Sequence, residues 1–231
     1  MKKILSVLAA AGVAAAAVFG AIFSSGTGFW FASATAALLC CVPFFLSFEK
    51  RAPSAGELVL IAVMTAFSAA GRFIFAPLPF FKPVAAIVAI AARHFGGQAG
   101  FMIGALSAII SNIYFGQGPW TPFQMLCWGL IGLAAGFAGK RGLLDKPLPL
   151  CVFGVFAGIF YSFVMDVWTV ISMNGGFSGG LWAAAVISAL PVTGIYCVSN
   201  VIFLLILNKP LGRRLERLKT KYGVFTSNPV E

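Results

Sequence analysis

Long apolar runs separated by short basic segments dominate this sequence. A helix of about 20 apolar residues crosses the hydrocarbon core of a bilayer. We count eight such runs, at 4–23, 29–48, 58–75, 83–92, 100–115, 122–138, 148–170 and 181–207, of which the fourth is short. Only 10% of the residues are charged, whereas a soluble domain carries about 25%. The sequence therefore predicts an all-α integral membrane protein.

The first run resembles the apolar part of a secretory signal peptide, because it follows Lys2 and Lys3 directly. It is longer than the usual apolar region of such a peptide, and the segment after it offers a weak cleavage site. We therefore expect it to be retained as a helix. Its removal would leave the orientation of the other spans unchanged.

The basic residues are distributed very unevenly between the two sets of loops. The chain has 16 Lys and Arg against 6 Asp and Glu, a net charge of +10. Arg72 and Lys82 are the only basic residues in one set of loops, and all others lie in the second set or at the termini. The positive-inside rule then places both termini in the cytoplasm of a multi-pass protein of the plasma membrane. Topology accounts for the basic excess, so no nucleic acid partner is needed.

The runs divide the chain into three parts. Residues 1–50 hold two transmembrane helices, 51–208 form a six-helix membrane core, and 209–231 form a basic cytoplasmic tail. The tail is interpreted as an anchor against anionic lipid headgroups, with a partner site as the alternative.

Catalytic signatures are missing from the sequence. It contains no HExxH, GxSxG or P-loop motif, and its five cysteines lack metal-binding spacing. Asp166 is the only carboxylate inside an apolar run, and the single histidine, His94, lies in a basic loop. We predict no catalytic residues, no metal and no cofactor.

Polar and aromatic side chains gather in the loops opposite the basic ones. A pocket for a small polar molecule needs aromatic walls and a few fixed hydrogen-bonding groups. The candidate substrate-binding residues are Arg72, Lys82, Asn112, Tyr114, Gln117, Trp120, Gln124, Asp166 and Trp168. Alternatives stay open: Tyr114 and Trp168 suit an interfacial aromatic belt. Asn112 suits a contact between helices, and Asp166 an ion pair with Arg72 or Lys82.

Ala62, Ala66 and Ala70 recur every four residues in the third run. Helical geometry places them in one stripe of small side chains, which allows another helix to approach closely. Packing within this protein is the commoner explanation of such a stripe.

Several motifs between residues 57 and 207 resemble one family. They are the alanine stripe after Glu57-Leu58, Ala70-Gly71-Arg72, Phe81-Lys82-Pro83, the segment 95–101, Ser111-Asn112 and, most specific, the segment 115–122 that reads FGQGPWTP. Together they resemble the substrate-binding S component of an energy-coupling factor (ECF) vitamin transporter. Such proteins have a six-helix core, and the two preceding spans go beyond that minimal pattern.

The resemblance implies a mechanism. An S component has no ATPase of its own; it captures a vitamin outside and delivers it inward with a transmembrane T component and two cytoplasmic ATPase subunits. The alanine stripe would be the face that docks on the T component. The segment 115–122 looks most like the cobalamin branch, while pantothenate and a pyrimidine or thiazole precursor remain alternatives. A self-sufficient small transporter or channel is the main alternative function. A membrane enzyme using Asp166 and His94 is disfavoured because these residues lie near opposite membrane faces.

Overall fold

A computed structural model describes residues 27–225 of the chain, with side chains from residue 31. Every regular element in this part is an α-helix. The helices are α1 (Thr27–Glu49), α2 (Ala55–Ile74), α3 (Val84–Phe95), α4 (Gly97–Phe115), α5 (Thr121–Lys140), α6 (Pro147–Asn174), α7 (Gly179–Ser188) and α8 (Leu190–Tyr222). All except α3 and α7 contain a stretch long and apolar enough to cross a membrane. The prediction of an all-α integral membrane protein is confirmed.

The predicted spans correspond closely to these helices, with one correction. The first, at 4–23, lies outside the described residues, and the second to seventh coincide with α1 to α6. The prediction of one helix over 181–207 is wrong, because the helix is interrupted by a turn at Ala189, between α7 and α8. Pro191 lies in the first turn of α8, where its missing N–H is tolerated; inside a continuous helix it would remove a hydrogen bond.

The short helix α3 lies at the centre of the bundle, between α5 and α8. Ten of its twelve residues are buried, as expected of a helix whose residues 84–92 are apolar on all sides. It ends at Gly96, whose φ of 90° is a conformation that glycine adopts without steric cost. This turn leads directly into α4.

Glycines allow α4 and α5 to pack closely. A Cβ atom added to Gly104 would lie 2.3 Å from the backbone oxygen of Trp128, and one added to Gly100 would lie 2.7 Å from that of Gly132. Helices in lipid approach in this way because small residues let their backbones meet. The contact fixes the position of Trp128 relative to α4.

Candidate functional site

A cavity of about 400 Å³ lies at the end of the bundle opposite the basic loops. Its volume is within the range of pockets that hold small molecules. The aromatic part of its lining is Phe80, Phe115, Trp128, Tyr161 and Tyr196. The polar part is Arg72, Lys82, Gln124 and Asn200. This combination of aromatic walls and a few polar groups suits a planar ligand with hydrogen-bonding substituents.

The guanidinium of Arg72 lies against this cavity in the last turn of α2. Its Nη1 donates to Ser111 Oγ at 2.5 Å and to Asn112 Oδ1 at 2.7 Å. The group also lies over the ring of Phe115, 4.4 Å from its centroid, and near the ring of Trp128 at 5.2 Å. Within residues 27–225, no carboxylate forms an ion pair with Arg72. The cavity therefore presents a cation whose protein partners are neutral.

A chain of hydrogen bonds continues from Arg72 across the bundle. The amide nitrogen of Asn112 donates to Thr121 Oγ1 at 2.9 Å and to Gln124 Oε1 at 2.7 Å. Gln124 Nε2 in turn donates to Tyr161 Oη at 3.1 Å. Since Asn112 is only 1% exposed, these bonds hold its orientation. The network thus fixes the polar wall of the cavity from α2, α4, α5 and α6.

Lys82 lies in the loop between α2 and α3, and its ammonium group is occupied by that loop. Nζ donates to the backbone oxygens of Ala76 at 3.2 Å and Leu78 at 2.7 Å, and also to that of Phe75. A lysine has three N–H donors, so all of them are used. Burial, and secondarily the charge of Arg72, lower the pKa of Lys82 below its ordinary value. Lys82 lines the cavity while it holds the loop together.

Phe80 belongs to the same loop and reaches over the cavity. Its φ of 60° is unusual for a residue with a side chain. Its ring meets that of Tyr196 edge-on, with centroids 5.8 Å apart. The loop that Lys82 organises therefore supplies one aromatic wall of the cavity.

The structure brings together four of the nine predicted site residues. Arg72, Lys82 and Gln124 line the cavity. Asn112 lies directly behind them and hydrogen-bonds both Arg72 and Gln124.

Tyr114 and Gln117 lie outside the cavity lining. Tyr114 is 71% exposed, and its ring packs on that of Phe73 with centroids 5.1 Å apart. Gln117 donates to the backbone oxygen of Ile109 at 2.8 Å and accepts from Thr121. Gln117 therefore shapes the loop between α4 and α5.

Trp120, Asp166 and Trp168 also lie outside the lining. The ring of Trp120 lies over Gly118, and that of Trp168 packs against Phe123 at 5.6 Å. Asp166 is buried, and its Oδ2 atom has no hydrogen-bond partner among the described residues. It forms no ion pair with Arg72 or Lys82 within that part of the chain.

The sequence analysis missed polar and aromatic lining residues that lie inside the helices, namely Trp128, Tyr161, Tyr196 and Asn200. The chain has only four tyrosines, and Tyr161 and Tyr196 fall inside apolar runs. A phenol hydroxyl at such a depth needs a polar partner. A tyrosine inside an apolar run is therefore the sequence signal that could have identified Tyr161 and Tyr196.

The alanine stripe lies on the outer surface of α2. Ala62, Ala66 and Ala70 are all exposed, whereas Ile61 and Met64 face the core. Among the described residues, no other helix covers the stripe.

The fold and the cavity define a multi-pass helical membrane protein built to hold a small molecule. Residues 53–217 match the family described as the ECF-type riboflavin transporter, S component. The match covers well over half of the 231 residues, and the chain belongs to this family. No solved structure matches the chain.

The family match confirms the predicted S component, which is a substrate-binding transporter subunit rather than an enzyme. It does not confirm the expected cobalamin branch.

Proposed function

We propose that this chain captures a vitamin-like ligand in the Arg72 cavity on the outer side of the plasma membrane. It then delivers the ligand inward with a T component and two cytoplasmic ATPase subunits. One observation carries the proposal: in a chain of the S component family, Arg72 lies on an aromatic cavity and has no carboxylate partner among residues 27–225. An orientation with both termini in the cytoplasm follows from the positive-inside rule.

A ligand of the size of a flavin fits this cavity best. The family description names riboflavin, and a volume of about 400 Å³ is near the lower end of ligand pockets. Cobalamin, a corrin ring with a nucleotide loop, is several times larger than a flavin. The volume therefore favours a flavin over the cobalamin that the segment 115–122 suggested. The aromatic walls offer the ring faces on which a flat heterocycle stacks.

The guanidinium of Arg72 places a second restriction on the chemistry of the ligand. Nη1 is occupied by Ser111 and Asn112, but a guanidinium has five N–H donors in all. The remaining donors suit a carbonyl oxygen of a flavin ring, and they suit a phosphate or carboxylate more strongly. We therefore expect flavin mononucleotide or another anionic vitamin to compete with riboflavin.

The test is to identify the ligand and then measure its affinity. The protein is purified in detergent and denatured, and the released compounds are examined by mass spectrometry. Riboflavin, flavin mononucleotide, pantothenate and cobalamin are then titrated by calorimetry, and flavin fluorescence is followed. We expect a stoichiometric flavin and quenching of its fluorescence by the aromatic walls. Tight binding of cobalamin alone, or of no vitamin, would contradict the proposal.

A matched pair of variants ties the signal to the cavity. Trp128→Phe changes a wall of the cavity. Trp182→Phe changes a tryptophan whose Nε1 donates to the backbone oxygen of Phe163, away from the lining. Weaker binding is expected for the first variant only.

A further inference from the structure

A second cavity, of about 950 Å³, lies at the opposite end of the bundle. We call it the basic-end cavity. Four cationic side chains line it: Arg51, Arg93, Lys140 and Lys219. Within residues 27–225, Glu57 is the only carboxylate in its lining, and His94 is also present. The cavity is therefore strongly positive.

Two of these cations already have carboxylate partners. Arg51 pairs with Glu57 at 2.9 Å and Arg93 pairs with Asp145 at 2.7 Å. Glu57 also accepts the backbone N–H of Phe225 at 2.9 Å, which further occupies its oxygens.

His94 faces the cavity as well, and its Nδ1 lies 3.1 Å from Glu216 Oε2. Lys140 and Lys219 form no ion pair within residues 27–225. Two ammonium groups thus remain on the cavity wall for an external anion.

The same cavity has an apolar side. Leu133 and Phe137 of α5 belong to its lining, and Phe137 is 57% exposed. Since α5 is long and apolar enough to cross a membrane, this exposed surface is accessible to the acyl chains of lipids. The cationic and apolar parts of the wall meet at the end of α5, where Lys140 lies.

We propose that the basic-end cavity binds the headgroup of an anionic phospholipid. Its phosphate lies between Lys140 and Lys219, and an acyl chain runs along Leu133 and Phe137. Basic pockets between helices near the membrane surface bind such headgroups. An acidic protein segment would satisfy the two lysines but leave the apolar wall uncovered. The site lies at the other end of the bundle from the Arg72 cavity, so it does not depend on the identity of the vitamin.

The full chain is tested in nanodiscs that contain phosphatidylglycerol diluted in phosphatidylcholine. The protein is then released from the nanodiscs, and native mass spectrometry counts the phosphatidylglycerol molecules that remain bound to the wild type and to Lys140→Gln/Lys219→Gln. The control is Lys50→Gln/Lys209→Gln, because both of these lysines are exposed and neither lines the cavity. It removes the same charge from the same end of the protein.

We expect one retained phosphatidylglycerol on the wild type and on the control. The cavity variant should bind it about 25-fold more weakly, from about fivefold for each basic side chain near the phosphate. Lys140→Arg/Lys219→Arg should keep the lipid, which separates a lost charge from a misfolded protein.

Equal retention by the cavity variant and the control would overturn the proposal. So would stabilisation of the detergent-solubilised protein by inorganic phosphate alone to the same extent as by phosphatidylglycerol. In that case the ligand is a soluble phosphate, and the apolar wall has no part in binding it.

Discussion

The guanidinium of Arg72 donates to the amide oxygen of Asn112 across 2.7 Å, and this bond ties the end of α2 to α4. The same amide donates to Gln124 on α5, so three helices share one polar contact. An arginine held in this way keeps its position before the ligand arrives. Preorganisation of this kind reduces the entropy lost on binding.

Replacement of Arg72 tests its role in binding. Arg72→Gln keeps a polar side chain but removes the charge and the fork of donors. We expect the Kd to rise roughly 30-fold, since a hydrogen bond to a charged group contributes about 2 kcal/mol. An anionic flavin should lose more affinity than neutral riboflavin. Calorimetry on both ligands checks this, with the exposed Arg141→Gln as control. Unchanged affinities would remove Arg72 from the site.

Replacement of Lys82 distinguishes two roles of its ammonium group, which are to hold the loop and to contact the ligand. If it holds the loop, Lys82→Met frees the backbone oxygens of Phe75, Ala76 and Leu78. Riboflavin and flavin mononucleotide should then be released faster by similar factors. Hydrogen exchange should also quicken across 75–82. If only flavin mononucleotide were released faster, and hydrogen exchange were unchanged, Lys82 would instead contact the ligand directly. Stopped-flow fluorescence measures the two release rates.

The position of Arg72 at the cavity was predictable, because a charged side chain at the end of an apolar run is costly near a membrane and is usually functional. The helices were predictable for a similar reason, because lipid leaves few alternatives for long apolar runs. The interruption of the helix at Ala189 could not be predicted, since Pro191 is compatible both with a kink in one long helix and with the first turn of a new helix.

The aromatic wall depends on contacts between distant helices. Tyr161 on α6 and Tyr196 on α8 meet with ring centroids 5.0 Å apart, and Tyr161 stacks on Trp128 of α5 at 5.5 Å. Each residue lies inside an apolar run, where periodicity does not tell which neighbour it faces. Tyr114 attracted notice because a polar and aromatic loop follows it directly after the end of α4, although Tyr114 lies outside the cavity lining.

The close contact between α4 and α5 predicts a large effect of one methyl group. In Gly104→Ala the new Cβ would lie 2.3 Å from the backbone oxygen of Trp128 and 2.4 Å from its carbonyl carbon. No side-chain rotation relieves a clash with backbone, so the helices must separate. We expect a loss of about 1–3 kcal/mol of stability and weaker ligand binding, because Trp128 lines the cavity.

Thermal unfolding in detergent measures this loss, with Gly180→Ala as the control. A Cβ added to Gly180 meets no heavy atom within 4 Å. In α7 this change should stabilise the helix by up to about 1 kcal/mol. Equal unfolding temperatures for the two variants would show that α4 and α5 adjust without cost.

A bulky substitution in the alanine stripe should separate ligand binding from transport. A tryptophan at Ala66 projects from the exposed face of α2 and blocks the close approach of another helix. We expect Ala66→Trp to abolish uptake of labelled ligand in cells that carry the T component and both ATPases. Binding by the purified chain should persist, because Ala66 lies outside the cavity lining. Ala184→Trp places the same bulk on an exposed position of α7 and should leave uptake unchanged. Normal uptake by Ala66→Trp would move the docking face elsewhere, whereas lost binding would show that the stripe supports the fold.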